Sequence, residues 1–168
     1  MKLKSKSLLA GIVIIALIAG FVVSLSIKPT APSVEFTSLK GEKIALDNLR
    51  GKVVLVNFWA TDCPGCIAEM PELIQTYQKY KSRGLETIAV AMYYDPPNYV
   101  STYATDKVLP FPVSLDPQGL LAKAFKDVQL TPTTFVIDKE GRILQRTVGV
   151  LDFPKLHTLL EKELKPST

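Results

Sequence analysis

Two cysteines, Cys63 and Cys66, stand in the segment Asn57-Phe58-Trp59-Ala60-Thr61-Asp62-Cys63-Pro64-Gly65-Cys66, and the 168-residue chain has no others. Residues three apart are neighbours on a helix, so the two sulfurs can bond to each other with modest strain. A helix that opens at this point also aims its free N–H groups and partial positive charge at the first sulfur. Those groups stabilise a thiolate, the nucleophilic form of cysteine. Pro64 suits the first turn, where its missing N–H is not needed. The arrangement predicts thiol–disulfide exchange, with Cys63 attacking and Cys66 resolving the mixed disulfide. Three other uses of such a pair compete. A purely structural bridge would close a loop too short to restrict much chain entropy. A zinc site needs two more ligands, and His157 is the single histidine. A copper chaperone, using the thiolates with Met70 or Met92, stays open.

The elements that must hold these cysteines follow from the hydrophobic pattern. Val53–Phe58 is nearly continuously apolar and β-branched, as a strand covered on both faces would be. Pro64 to about Arg83 carries Ile67, Met70, Leu73, Ile74 and Tyr77 at helical spacing, and Gly84 follows as a cap. A CxxC placed between such a strand and such a helix is a far stronger signal than CxxC alone. Further expected elements are a hairpin of Phe36–Leu39 and Lys43–Leu46, a buried strand at Thr87–Met92 and a helix at Tyr99–Val108. Pro112–Leu115 reads as extended. Gln118–Asp127 reads as a helix with a stripe of Leu120, Leu121, Ala124 and Phe125. Thr133–Ile137 and Ile143–Val148 form a hairpin around Asp138-Lys139-Glu140-Gly141. Phe153–Leu164 closes the chain as a helix with Leu156, Leu159, Leu160 and Leu164 inward. The order implies an α/β fold, a central mixed β-sheet flanked by helices.

Ahead of this domain, Leu8–Ile27 is an uncharged apolar run. Its length at about 1.5 Å per residue gives roughly 30 Å, enough to cross a bilayer core as one N-terminal transmembrane helix. Lys2, Lys4 and Lys6 precede it and only Lys28 follows closely, so the amino terminus stays in the cytoplasm and the domain is exported. Ser24-Leu25-Ser26 offers a competing cleavage signature, but a signal core is usually only about 7–15 residues long. Residues 1–28 are thus expected to form the cytoplasmic tip and anchor, 29–34 a linker, and 35–168 the domain. The net charge of +4 arises entirely from residues 1–28, leaving 16 basic against 16 acidic residues. No excess remains for a nucleic-acid face.

The motif Phe58-Trp59-Ala60-Thr61-x-Cys-x-x-Cys, with Glu69 and Pro71 beyond it and Thr131-Pro132-Thr133-Thr134-Phe135-Val136-Ile137-Asp138 downstream, resembles the TlpA/ResA/CcmG (DsbE-like) group of thioredoxin-like proteins over residues 34–165. The resemblance implies a thioredoxin-like fold and a membrane-anchored thiol–disulfide oxidoreductase that needs no cofactor beyond its Cys63–Cys66 disulfide. It implies that Pro132 faces the dithiol through a cis Thr131–Pro132 bond and that the Thr131 backbone pairs with an extended client. It implies exported disulfide- or thiol-containing clients, apocytochrome c among them, and a membrane electron donor of thiol–disulfide type. The domain then works on the extracytoplasmic, periplasmic side of the cytoplasmic membrane.

Other positions take their roles from the same likeness. Glu69, one turn beyond Cys66, is expected to accept or return its proton. Thioredoxins themselves carry a buried Asp where this chain has Asn57, so another group must handle that proton. Trp59 is either a wall of the substrate site or ordinary core. Asp62 stands where the group often has a second Trp. An unpaired carboxylate there opposes ionisation of Cys63, and a role as helix cap is the alternative. The Pro64-Gly65 dipeptide lacks the His of strongly oxidising relatives. Both features favour a reductant. A peroxiredoxin-type peroxidase is the rival enzyme reading: Thr61 lies near Cys63, but the upstream Pro of a peroxidatic loop is absent. Tyr93, Tyr94, Pro96 and Pro97 form a loop that could shape a groove, and His157 reads as surface.

Overall fold

The computed structural model describes residues 28–165. The apolar run Leu8–Ile27 lies outside the described residues. Among the described residues no helix is long and apolar enough to cross a membrane.

A short hairpin of β1 (Glu35–Thr37) and β2 (Lys43–Ala45) leads into the main sheet. That sheet has the order β5 (Val113–Leu115), β4 (Leu85–Ala91), β3 (Val53–Trp59), β6 (Thr133–Ile137) and β7 (Ile143–Val148). β3, β4 and β5 run parallel, β6 runs antiparallel to β3, and β7 runs antiparallel to β6. The expected mixed sheet is therefore present, with β3 in the middle.

Side chains alternate across a strand, so β3 feeds two cores. Val53, Leu55 and Trp59 face a cluster built with α1 (Pro64–Tyr80), α2 (Pro97–Asp106) and α4 (Phe153–Glu163). Val54, Val56 and Phe58 face a second cluster with Phe36, Leu46, Ala122, Phe125 and Val128, from the hairpin and from α3 (Leu120–Ala124) and its flank. Every residue of β3 is buried, which is why its sequence shows no polar alternation. In α1 the buried positions Cys66, Glu69, Met70, Leu73, Thr76 and Tyr80 follow the helical period and form the stripe that meets the sheet.

Three expectations need correction. The helix expected over 118–127 shrinks to Leu120–Ala124. Lys126 and Asp127 take the left-handed conformation, φ 61° and 55°, which no helix can accommodate, and Leu120 ends up exposed. His157 is half-buried, not a free surface residue: Nε2 lies 2.9 Å from Thr76 Oγ1, and the ring packs edge-on against Tyr80. Residues 29–31, read as linker, lie along the β6–β7 turn. The Ile143 N–H donates to the Pro29 carbonyl (2.7 Å) and the Ala31 N–H to the Gly141 carbonyl (2.9 Å). Ala31 is buried there.

Candidate active site

The two sulfurs meet at the C-terminal end of the parallel strands, where ligands and chemistry usually sit in α/β sheets. β3 delivers the chain through Ala60-Thr61-Asp62 to Cys63, the N-cap of α1. Cys63 and Cys66 are joined as a disulfide with Cα atoms 5.3 Å apart. The Cys66 N–H points at Cys63 Sγ, at 3.2 Å. This helix-start donor is the one the spacing anticipates, and it favours negative charge on the first sulfur. Cys66 is fully buried and Cys63 is partly exposed. Only one sulfur is thus open to an incoming partner. Asp62 is exposed beside it, and the cap position belongs to Cys63.

Behind the disulfide lies a buried polar network. Glu69 shares the face of α1 with Cys66 and is only 3% exposed. Its carboxylate accepts from Asn57 Nδ2 and from the Leu151 N–H, each at 2.9 Å. Asn57 Nδ2 also donates to Thr134 Oγ1, at 2.9 Å. Burial pushes the Glu69 carboxyl above its ordinary value, and the two hydrogen bonds hold it back only in part. No cation stands among its hydrogen-bond partners, so the raised affinity for a proton lies one turn from Cys66.

The opposite wall is the loop before β6. The Thr131–Pro132 bond is cis. The Gly149 N–H donates to the Pro132 carbonyl (2.8 Å), tying this loop to the segment that leads into α4. Gly65 fits beneath that segment because it lacks a side chain. A Cβ there would stand 3.1 Å from Val150 Cγ2 and 3.5 Å from Pro132 Cδ. The exposed rings of Tyr93 and Tyr94 flank the same loop, with Tyr94 Oη 3.3 Å from Thr131 Oγ1. Trp59 is not a wall for clients. It is fully buried under the site, its ring 5.2 Å from that of Tyr103.

Sequence reasoning overlooked Asp95. This residue is 5% exposed and grips the loop ahead of Cys63 with both oxygens. It accepts from the Thr61 N–H and the Thr61 hydroxyl, each at 2.6 Å. The available signal was its position, an acid just past the C-terminal end of a central parallel strand. The same clamp occupies the Thr61 hydroxyl, which a peroxidatic site would turn towards Cys63. Met92 belongs to the core on the far side of the sheet from Cys66, so it cannot join the cysteines around copper. Met70 shares the cluster of Cys66, and among the described residues no group of three His, Cys, Asp or Glu side chains is placed to hold a metal ion.

The comparisons agree with this geometry. The Redoxin family pattern matches residues 28–160. The chain belongs to the Redoxin family. Within it, the chain is 37% identical over 139 residues to the thiol-disulfide oxidoreductase ResA of Bacillus thuringiensis subsp. konkukian, covering 82% of this chain and 79% of that one. The ResA of Bacillus subtilis is 33% identical over 137 residues, 80% of this chain and 74% of that one. A thioredoxin-family thiol:disulfide interchange protein from Chlorobium tepidum superposes with a TM-score of 0.76 at 27% identity, over 83% of this chain and 99% of that one. StoA from Bacillus subtilis superposes at 0.66 and 25% identity, over 77% and 98%. This Redoxin-family chain is thus a ResA-like thiol–disulfide oxidoreductase with a thioredoxin-like fold, and Cys63 and Cys66 form its dithiol.

Proposed function

We propose that this oxidoreductase works as a reductase of exported proteins, held at the outer face of the cytoplasmic membrane by residues 8–27. The observation that carries the reading is the pairing of one accessible sulfur with one buried sulfur beside the proton-retaining Glu69. In the reduced enzyme the Cys63 thiolate attacks a client disulfide. One client sulfur leaves as a thiolate, and Cys63 becomes joined to the other. Cys66 then gives its proton to the Glu69 carboxylate and attacks Cys63. The second client thiolate leaves, and the Cys63–Cys66 disulfide forms. The client gains two electrons and the dithiol loses two. A thiol–disulfide donor in the membrane returns them, and Glu69 gives the proton back to Cys66.

The free Thr131 backbone beside Pro132 supports docking of an extended client segment, since neither group enters a backbone hydrogen bond among the described residues. Asp62 next to the attacking sulfur and the Pro64-Gly65 dipeptide favour the reducing direction. Apocytochrome c awaiting haem attachment fits the client class, because its paired cysteines must be reduced first. The apolar run, its lysine flank and the family likeness support the location.

Trapping in the native cell tests the reading. Cys66→Ser should accumulate Cys63-linked mixed disulfides with exported proteins, and Cys63→Ser should accumulate none. The wild-type dithiol should be reduced at steady state and become oxidised when the donor is removed. Equal trapping by both variants would refute the assigned roles, and a dithiol oxidised at steady state would reverse the direction.

A further inference from the structure

The strands β3 and β4 begin at one end of the sheet and finish at the dithiol. The end where they begin is also where residues 28–31 join the domain, strapped to the β6–β7 turn through Pro29, Ala31 and the Thr30–Arg142 bridge. Lys28 emerges exposed beside that turn. β7 spans six residues from this end to Val148, which pairs with Thr133 beside Pro132. At about 3.3 Å per residue, the entry point lies roughly 20 Å from the site. Residues 29–31 are thus held against the domain.

The charge is divided along the same axis. Segments 47–52, 79–86, 138–142 and 161–165 lie at the entry end and carry nine Lys and Arg against six Asp and Glu. The remainder of 29–168 carries seven against ten. The domain that looks neutral by composition is therefore polarised, positive where the chain enters. All six acids at the entry end sit in ion pairs: Asp47 with Arg50, Glu86 with Lys52, Glu161 with Arg83, Asp138 and Glu140 with Arg142, and Glu163 with Lys162. Lys79, Lys81, Lys139 and Lys165 enter none of the ion pairs among the described residues, though Lys79 still acts on Glu161 at longer range. Lys139 and Lys165 are joined to each other, the Lys139 ammonium donating to the Lys165 carbonyl (2.9 Å), and Lys139 lies on the same β6–β7 turn that holds the strap.

We propose that this end of the domain docks on anionic phospholipid headgroups, with the unpaired lysines as the contact and the strap as the fixed point. The inference rests on the anchoring of residues 8–27 proposed above. It adds an orientation: the dithiol faces away from the bilayer, towards clients in the surrounding space. Lysines near helix C-termini also suit the helix dipole, but that use is indifferent to lipid.

The test reconstitutes the full chain in nanodiscs of phosphatidylcholine, alone or with about a third phosphatidylglycerol, plus a gadolinium-chelating lipid. The readout is relaxation of the amides of Lys81, Arg83 and Gly141 against those of Cys63 and Thr131. With the anionic lipid the first group should relax several-fold faster than in phosphatidylcholine alone, and the second should not change. About 1 M salt should cancel the difference without any variant. Replacing Lys79, Lys81, Lys139 and Lys165 by Glu should cancel it too, each lysine changing the docked-to-free ratio about fivefold. Disulfide exchange with a soluble substrate should stay unchanged in that variant. Equal relaxation in both lipids, or enhancement at the dithiol end, would overturn the inference alone. Failure of the chain to stay on washed discs would overturn the anchoring and the inference together.

Discussion

The two ends of the sheet treat their buried carboxylates differently. At the dithiol end Glu69, Asp95 and Asp116 are almost fully buried, and each accepts from backbone N–H groups: Leu151 for Glu69, Thr61 for Asp95, Leu121 and Ala122 for Asp116. No cation lies among their hydrogen-bond partners. At the entry end Asp47, Glu140 and Glu161 are exposed and paired with arginines, and even the buried Asp138 has the Arg142 guanidinium at 2.8 Å. Among these groups Glu69 has its proton affinity raised, by burial that its two neutral donors offset only in part. At the exposed Glu161 the Arg83 guanidinium acts the other way and lowers it. The dithiol end therefore spends stability on buried groups that tie loops together, and the entry end is built of charges that tolerate water.

Breaking this contrast should cost most at Glu69. Glu69→Ala strands the Leu151 N–H, takes one of the two acceptors of Asn57 Nδ2 and leaves a void, so unfolding in urea should show a loss of about 3 kcal/mol. Glu69→Gln should lose no more than about 1 kcal/mol. Its Oε1 can accept from Leu151 while its amide donates to Asn57 Oδ1, which has no partner in the wild-type network. The Gln variant nevertheless lacks a base, so release of the mixed disulfide by Cys66 should slow about 100-fold, read by single-turnover kinetics. Stability should carry the same signature. Between the ordinary carboxyl value and the raised one, the folded chain binds the proton that the unfolded chain has lost. Wild-type stability therefore falls as pH rises across that window and stays lowered above it. Glu69→Gln should remove this slope. An equal slope in the variant would place the titrating group elsewhere.

Asp95 comes next. Asp95→Ala strands the Thr61 N–H and frees the loop ahead of Cys63, and the expected loss is about 2 kcal/mol. The bimolecular attack by Cys63 should slow as well, because the sulfur is no longer held at the helix mouth. Asp95→Asn retains one acceptor and should recover about half of each effect. Recovery of stability without recovery of rate would make Asp95 a fold residue only.

Much of this was open to sequence reading because local and long-range demands coincide. The apolar run Val53–Phe58 forces a central strand, and the i, i+3 cysteines with Pro64 force a helix start. The hairpin around Asp138–Gly141 was equally plain, since the turn residues and the flanking strands agree. What stayed hidden depends on contacts between distant segments. Asp95 sits between Tyr94 and Pro96 and reads as a solvated turn. Its partner Thr61 lies 34 residues away. The α3 region has a helical pattern, and only the left-handed turn at Lys126 and Asp127 cuts it short. Trp59 adjoins the active motif in sequence but points into the core, a choice made by strand alternation. Residues 29–31 look like linker because Pro and small residues fill them, and only the free edge of β7 decides that they pair.

The smallest effect belongs to the entry end and is the control for the comparison. Arg83 and Glu161 join α1's C-terminal turn to α4 at 2.9 Å, with both side chains nearly half exposed. Water screens the pair, and both side chains give up conformational freedom to form it. A double-mutant cycle of Arg83→Ala and Glu161→Ala should therefore show no coupling in the thermal midpoint at about 0.1 M salt, beyond the Debye screening that already weakens it. The single Arg83→Ala change should leave both cysteine steps at their wild-type rates, since no hydrogen bond leads from this pair to the Glu69 network. If the cycle instead gave a coupling as large as the loss at Asp95, burial behind neutral donors would not be what separates the two ends. The difference would then have to lie in where each carboxylate stands in the chain, because the chemical group is the same.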